Sequence, residues 1–334
     1  MLRLSRRSAL MTAGAFGAAA VLGGCGTLPR PLMAADSQPE NYPTVQALRF
    51  FATELARLTD GRVRVDVYPS EQLGGQSDTL ELAQLGGVDF IRINSAPLNV
   101  LVPETLVPSL PFLFRSIGHM RAAMDGAAGR TILGGLSRHG LIGLAFYDSG
   151  ARSIYTVDRP VREPADMAGL KIRVQTSDLF VSMIEAMGGN ATPMAYGEVY
   201  QGMVQGVIDG AENNFPSYES SRHFEVAPVY SLTRHVMAPE ILAMSKRSWD
   251  KLSASDRDAV REAADASVPF MREIWDRQVI EARDLVGKAG VQIVDDVDRA
   301  AFSRLMQPIW QQYAATPDLQ RLVEDIRNMG SDNA

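Results

Sequence analysis

Short apolar segments alternate with amphipathic helical patterns along most of this 334-residue chain. The clearest example is the stretch Gly169–Asn214, which begins with Leu170, Ile172 and Val174 alternating with polar residues and ends at the sequence IDGAENN. Period-two alternation predicts a half-buried strand. Strands that alternate with helices predict an α/β fold with parallel sheets covered on both faces. Because the chain is longer than one typical core requires, we expect two domains.

The same alternation predicts the remaining elements. Further strands are expected at residues 32–36, 63–67, 88–94, 141–147, 152–157, 208–212 and 237–245. A long run with few helix breakers, Ser253–Lys288, predicts a single helix of roughly 50 Å, which is longer than a small domain is wide. We expect this helix to span both domains and to kink at Pro269. Two shorter helices are predicted at residues 298–313 and 318–329.

Composition and charge exclude several classes of function. The chain is 46% hydrophobic and 22% charged, which is typical of a globular protein. Its net charge of −6 argues against a nucleic-acid partner, which requires a basic surface. The 4 histidines are scattered, and no phosphate-binding, dinucleotide-binding or nucleophile-elbow motif occurs, so we expect no metal, no cofactor and no catalysis. An enzyme remains an alternative that no motif requires.

The N-terminus has the pattern of an export signal. Arg3, Arg6 and Arg7 precede the uncharged apolar run Ala9–Leu22, which is too short to cross a bilayer with ease. The paired arginines favour the twin-arginine route, and the general secretory route is the alternative. No other apolar stretch approaches the ~20 residues of a membrane span. We therefore expect a periplasmic protein whose body is soluble and monomeric.

Cys25 is the only cysteine and follows Leu22, Gly23 and Gly24, as in a bacterial lipobox. A single cysteine cannot form an intramolecular disulfide, so we predict a signal peptide over residues 1–25 and a lipid anchor on Cys25. The alternative is cleavage after Ala34–Ala35, which would remove Cys25 and cut into the predicted first strand.

Three polar clusters fall at the ends of predicted strands: Asn94–Ser95, Asp148–Arg152 and Glu212–Asn214. Ligands of open α/β sheets bind beyond the carboxyl ends of strands, so the clusters predict a polar small-molecule site. Arg173 lies within the strand of the opening stretch. From the pattern alone, this arginine either faces solvent or faces a group that needs a planar cation.

Seven segments carry a family resemblance when they are taken together in order: GRVRVDVYPSEQLGGQ, VPSLPFLF, FYDSGARSIYT, GLKIRVQ, TPMAYGEVY, IDGAENN and SWDKLSASDRDAV. The chain resembles the DctP-like solute-binding proteins of tripartite ATP-independent periplasmic (TRAP) transporters. The resemblance implies a two-domain periplasmic-binding-protein fold with mixed sheets flanked by helices, a cleft between the domains and a long helix bridging both. It further implies that residues 31–149 and 239–278 form domain I, and that 150–238 and 279–330 form domain II.

The resemblance also implies the ligand-binding residues. Arg173 matches the family arginine that forms a bidentate salt bridge with a ligand carboxylate. A guanidinium offers a carboxylate two parallel hydrogen bonds, whereas a lysine offers a point charge. The other matching positions are Arg152, Asn213, Asn94, Gln76, Gln38, Ser37 and Tyr196.

The expected ligand is a sugar acid. Amide side chains both donate and accept hydrogen bonds, which suits a polyhydroxylated molecule. The segments FIRINSAPLN, AFYDSGARSIY and GAENNFPSY resemble the branch that binds hexuronates such as glucuronate and galacturonate. Lactate, other 2-oxo acids and C4-dicarboxylates remain alternatives. The implied partner is a TRAP membrane permease, and a ligand sensor for a signalling receptor is the alternative role.

Overall fold

A computed structural model describes residues 30–329. The predicted signal peptide and Cys25 lie outside these residues. The strands are β1 (Leu32–Ala35), β2 (Val65–Tyr68), β3 (Phe90–Asn94), β4 (Leu141–Tyr147), β5 (Arg152–Thr156), β6 (Lys171–Val174), β7 (Asn190–Pro193), β8 (Gly210–Asn213), β9 (Val229–Val236), β10 (Glu240–Ser245) and β11 (Gln292–Val294).

The helices cover these strands. They are α1 (Pro43–Leu58), α2 (Gln76–Leu85), α3 (Ser95–Leu98), α4 (Ile117–Asp125), α5 (Ala127–Gly135), α6 (Asp178–Ala186), α7 (Val199–Val204), α8 (Phe215–Ser220), α9 (Lys246–Trp249), α10 (Ala254–Lys288), α11 (Arg299–Arg304), α12 (Gln307–Tyr313) and α13 (Pro317–Asn328). Among the described residues, no helix is both long enough and apolar enough to cross a membrane.

The strands form two sheets. The first sheet has the order β2-β1-β3-β10-β4, and the second has the order β11-β9-β5-β8-β6-β7. Strand β10 is antiparallel to both β3 and β4, and β5 is antiparallel to both β8 and β9, whereas the other pairs are parallel. The mixed sheets that the family resemblance implied are confirmed.

Two short connections join the sheets and explain why alternation alone wrongly predicted parallel pairing. The chain passes from β4 to β5 through residues 148–151, and it returns from β9 to β10 through residues 237–239. Parallel neighbours in one sheet are joined by crossovers of a dozen or more residues. These short connections instead lead into the other sheet, and the strands they enter, β5 and β10, are the ones that run antiparallel to their neighbours. We call these two connections the hinge.

The predicted long helix is present as α10, a continuous helix of 35 residues that contains Pro269. The side chain of Ser253 caps its N-terminus by accepting a 3.1 Å hydrogen bond from the amide of Asp256. Apolar residues of its first half pack on α1, where Leu48 and Phe51 are fully buried. Its second half packs on α8 near the second sheet, so α10 runs along both sheets.

The remaining differences from the sequence predictions concern the helices near the C-terminus and three short or irregular strands. The predicted helix at 298–313 is two helices, because Pro308 starts a new helix at α12. Strands β7, β9 and β11 were not predicted. Strand β7 contains a proline and β11 has only three residues, so neither has a clear alternating pattern. Helix α13, predicted to belong to the second domain, packs against α5 and the segment Pro103–Ser109 beside the first sheet.

Candidate functional site

One cavity between the two sheets brings together seven of the eight side chains that the sequence predicted to contact a ligand. Asn94 ends β3, Arg152 begins β5 and Asn213 ends β8, so three of the seven lie at strand ends. The seven predicted residues that line the cavity are Gln38, Gln76, Asn94, Arg152, Arg173, Tyr196 and Asn213. Ser37 is the exception, because it is buried behind the cavity and its hydroxyl accepts a 3.0 Å hydrogen bond from Arg92.

Arg173 is held on β6 with its guanidinium beside this cavity. Its Nε and Nη2 atoms donate hydrogen bonds of 2.9 and 2.7 Å to the carbonyl oxygen of Met194. The residue is only 4% exposed, yet no carboxylate of residues 30–329 lies within ion-pair distance of it. Burial lowers the pKa of Arg173, although arginine stays protonated in proteins. A buried cation without a counter-ion is costly, so an anion bound here would relieve the cost.

Arg152, the second predicted arginine, already has a protein counter-ion. Its Nε and Nη2 donate hydrogen bonds of 2.6 and 2.7 Å to the two carboxylate oxygens of Glu212, and its Nη1 donates to Asn213 at 2.8 Å. Burial opposes ionisation of Glu212, but the Arg152 guanidinium outweighs it and holds the pKa of Glu212 at about 2. The ion pair therefore neutralises Arg152 and leaves Arg173 as the available cation on this wall.

The facing wall contains a buried ionic cluster that the sequence analysis missed. Arg92 on β3 pairs with Asp36 and donates a 2.8 Å hydrogen bond to Glu240 on β10. Asn94 donates a 2.9 Å bond to the other oxygen of Glu240, and Asp36 accepts a 2.8 Å bond from the amide of Gln38. The cluster fixes the ends of β1, β3 and β10 and thereby positions Gln38 and Asn94 at the cavity.

The amide side chains connect the walls of the cavity. Gln76 accepts a 2.7 Å hydrogen bond from the backbone amide of Asn94, and Gln175 donates a 3.2 Å bond from the second-sheet side to Asn94 Oδ1. The Oε1 atom of Gln38 is buried and has no hydrogen-bond partner among the described residues. The cavity thus contains both donors and acceptors that a polar ligand can engage.

Four residues that line the cavity were absent from the sequence prediction: Arg92, Gln175, Ser217 and Glu240. One signal could have found Gln175, because side chains two positions apart on a strand face the same way and Gln175 follows Arg173 at that spacing. Every residue of β3 is buried, so no alternation marked the side chain of Arg92. Glu240 comes from a distant part of the chain and meets Arg92 only through strand pairing.

A second small cavity adjoins the first and shares Gln76, Arg173, Gln175 and Tyr196 with it. Glu71, on the first-sheet side, also lines this second cavity. Burial raises the pKa of Glu71, an effect that the backbone amide of Gly197 and the charge of Arg173 partly offset. A Cβ atom on Gly197 would lie 2.5 Å from Glu71 Oε2, so a larger residue there would displace the Glu71 carboxylate.

These groups can bind an anion that carries hydroxyl groups. Arg173 supplies a positive charge and the amides supply neutral hydrogen bonds. Within residues 30–329, no cluster of histidine, cysteine, aspartate and glutamate side chains has the geometry of a metal site. Tyr196, whose pKa burial raises, donates a 3.1 Å hydrogen bond to the carbonyl oxygen of Ser217 as a neutral phenol.

Comparison with known proteins agrees with this geometry. The family model of bacterial extracellular solute-binding proteins, family 7 (DctP), matches residues 34–316. A solute-binding protein of Chromohalobacter salexigens is 48% identical over 294 residues, which cover 88% of this chain and 88% of that protein.

Two solved structures of TRAP periplasmic solute-binding proteins are similar over nearly the whole fold. One, from a Bradyrhizobium species in complex with D-galacturonate, is 50% identical with a TM-score of 0.89 and covers 90% of this chain and 100% of its own. The other, from Chromohalobacter salexigens with bound D-glucuronate, is 47% identical with a TM-score of 0.86 and covers 89% and 99%. The predicted family is confirmed: the chain belongs to the DctP family of extracellular solute-binding proteins that serve TRAP transporters.

Proposed function

We propose that this protein captures a hexuronate, D-glucuronate or D-galacturonate, in the cleft between its two domains. The observation that carries the proposal is Arg173, a buried guanidinium at the cavity with no carboxylate partner among the described residues. A carboxylate enclosed in a cleft loses hydration worth several kcal/mol, and an opposite charge with good hydrogen-bond geometry recovers it. Arg173 supplies that charge.

The rest of the cavity favours a ligand with several hydroxyl groups. Gln38 Oε1 is a buried acceptor without a partner in the part of the chain that the structure describes, and leaving such an atom unpaired costs about 1–3 kcal/mol. A ligand hydroxyl could donate to it. Gln76, Asn213 and Tyr196 can contact further hydroxyls, and the Arg152–Glu212 pair keeps Asn213 in place. Lactate and C4-dicarboxylates have too few hydroxyls to use these groups.

The ligands of the similar structures support the same choice. The two proteins described above are 47% and 50% identical to this chain and hold D-glucuronate and D-galacturonate. Both ligands are six-carbon sugar acids with one carboxylate, which matches one available arginine surrounded by neutral hydrogen-bonding groups.

We infer that the protein passes its ligand to a TRAP membrane permease from the periplasm. In this account, domain I comprises residues 31–149 and 239–278, and domain II comprises 150–238 and 279–330, whose last helix, α13, extends back to pack on domain I. The two domains close on the ligand by rotation at the hinge. Cys25 serves as a lipid anchor that follows the signal peptide. The protein acts as a monomer and leaves its ligand unaltered, so hexuronate recovered from the denatured complex should be chemically unchanged.

Calorimetric titration tests the choice of ligand. We expect D-glucuronate or D-galacturonate to bind more tightly than lactate, pyruvate and succinate, and we expect D-glucose to bind weakly because it lacks the carboxylate. A thermal-shift series should give the same order, since a ligand that binds only the folded state stabilises it by ~2.7 kcal/mol at 100 times its Kd. Tighter binding of succinate than of both hexuronates would contradict the proposal.

A further inference from the structure

A larger cavity, of about 440 Å³, lies at the hinge. Its walls include Gly150 and Ala151 from the first hinge connection, Met237 from the second, and Trp275 from α10. The walls therefore come from both sheets and from the helix that runs along them. We call this cavity the hinge pocket.

The hinge pocket and the ligand cleft lie on opposite faces of the crossing strands. Arg152 on β5 lines the cleft, whereas its neighbours Ala151 and Ser153 line the hinge pocket. At the end of β8, Asn213 lines the cleft and Asn214 lines the hinge pocket. Successive side chains of a strand point to opposite faces, so these alternations separate the two cavities by the thickness of the sheet.

Four exposed arginines surround the hinge pocket: Arg115, Arg234, Arg283 and Arg299. Among residues 30–329, none of the four lies within 4.0 Å of a carboxylate oxygen. The one acid in the walls, Asp276, is occupied by a 2.6 Å ion pair with Arg121. In a protein with a net charge of −6, four unpaired cations around one cavity make a local positive site.

Three of the four arginine side chains contact the rest of the protein. Arg299 donates a 3.2 Å hydrogen bond to the carbonyl oxygen of Thr233, and Arg115 donates bonds of 2.9 and 2.6 Å to two carbonyl oxygens near the end of α13. The guanidinium of Arg283 lies 6.0 Å from the centre of the Phe215 ring. Burial and the nearby charge of Arg234 lower the pKa of Arg299. Guanidinium groups that are already ordered bind anions with less loss of entropy than mobile ones.

Arg234 has a left-handed backbone conformation, with φ of 43°, which is unusual for a residue other than glycine. It lies where the register of β5 and β9 shifts between Arg152 and Ile154, and its amide donates a 3.1 Å hydrogen bond to Ser153. Backbone strain of this kind persists where the surrounding structure enforces it, often at binding sites. Here it places Arg234 at the rim of the hinge pocket.

The floor of the hinge pocket is apolar. It is formed by the side chains of Ile117, Phe215, Tyr230, Leu232, Trp275 and Val279. Protein cavities that bind small molecules are mostly apolar and carry a few convergent polar or charged groups, as the hinge pocket does. Such cavities have volumes of about 300–1,000 Å³, a range that includes the volume of the hinge pocket.

We propose that the hinge pocket is a second ligand site, which takes an amphipathic carboxylate with its apolar body on Trp275 and its carboxylate among the four arginines. Because the walls come from both sheets, rotation at the hinge changes the shape of the pocket. A ligand held there has different contacts in the open and closed forms, so it shifts the equilibrium between them. The proposal does not depend on which solute occupies the cleft.

Calorimetric titration with octanoate tests the proposal. We expect saturable binding at one site, weakened at least about tenfold in the double variant Arg234→Ala/Arg299→Ala, which loses two charge-assisted contacts. Arg304→Ala is the matched control, because Arg304 is exposed on the same helix as Arg299 but does not line the pocket. Octanamide, which has the same apolar body without the charge, should bind at least about tenfold more weakly than octanoate.

Arg173→Ala identifies the cavity that octanoate occupies. Octanoate affinity unchanged in Arg173→Ala and reduced in the double variant supports the hinge pocket. Affinity lost in Arg173→Ala and retained in the double variant, or the absence of saturable binding to the wild-type protein, would overturn the proposal. If circular dichroism shows that the double variant is unfolded, Arg283→Gln on the exposed face of α10 replaces it, with the same expected loss of affinity.

Discussion

Gln175 Nε2 donates a 3.2 Å hydrogen bond to Asn94 Oδ1, and this bond joins the second-sheet wall of the cleft to the first-sheet wall. A second bond between the walls links the hydroxyl groups of Tyr42 and Ser217 at 2.8 Å. Both bonds would break if the domains separated. They therefore stabilise the closed arrangement of the cleft.

Gln175→Ala tests the contribution of the first bond to ligand binding. Loss of one neutral hydrogen bond costs about 0.5–1.5 kcal/mol, so we expect hexuronate affinity to fall about threefold to tenfold. Gln205→Ala, at an exposed position after α7, is the control and should leave the affinity unchanged. Calorimetry measures both. An affinity equal to that of the wild type would show that this bond does not stabilise the closed form.

Glu212→Gln should destabilise the fold. The change removes the counter-ion of Arg152 and leaves a buried guanidinium without a partner charge, which costs about 4 kcal/mol. Urea denaturation followed by circular dichroism measures the loss. The matched control is Asp296→Asn, which breaks the exposed 3.0 Å pair with Arg162 and should cost less than about 1 kcal/mol. Equal losses in the two variants would contradict the assignment of Glu212 as a buried counter-ion.

His223 should make stability depend on pH. Burial, with a smaller effect of Arg173, lowers the pKa of His223 from 6.5 to about 3. Between these values the unfolded chain binds a proton that the folded protein does not, so the free energy of unfolding decreases as pH falls from 6.5 towards 3. The decrease attributable to His223 is at most about 1.4 kcal/mol per pH unit.

His223→Gln removes this proton from both states. Urea titrations at several pH values between 4 and 7 should therefore show a shallower loss of stability on acidification in the variant than in the wild type. A 2.7 Å hydrogen bond between His223 Nδ1 and the Tyr155 hydroxyl is also lost, which lowers stability at every pH without changing the slope. Identical slopes in the two proteins would rule out His223 as the titrating group.

The sequence predicted those parts of the fold that depend on local pattern. The alternation of Ile172 and Val174 around Arg173 predicted β6, and the long run without helix breakers predicted α10. The antiparallel strands could not be predicted from alternation, because their pairing depends on where the chain crosses between the sheets. Family resemblance supplied that information in this case.

The ion pairs of the site also could not be predicted from local sequence pattern. Arg152 and Glu212 are 60 residues apart and meet because β5 and β8 pair in a particular antiparallel register. Arg92 and Glu240 lie on β3 and β10, and Asp36 directly follows β1. The strand that carries Arg92 is buried at every residue. No local pattern distinguishes a paired arginine from an available one, so the structure was needed to separate Arg173 from Arg152.

The affinity of the Arg173→Lys variant for D-glucuronate and D-galacturonate tests whether Arg173 anchors the ligand carboxylate. A lysine keeps the charge but cannot form two parallel hydrogen bonds to a carboxylate, so we expect calorimetry to show affinity weakened about 10-fold to 100-fold. The melting temperature without ligand should change little, and Arg130→Lys, at an exposed position, should bind like the wild type. Unchanged affinity in a folded Arg173→Lys protein would contradict the account of Arg173 as the carboxylate anchor.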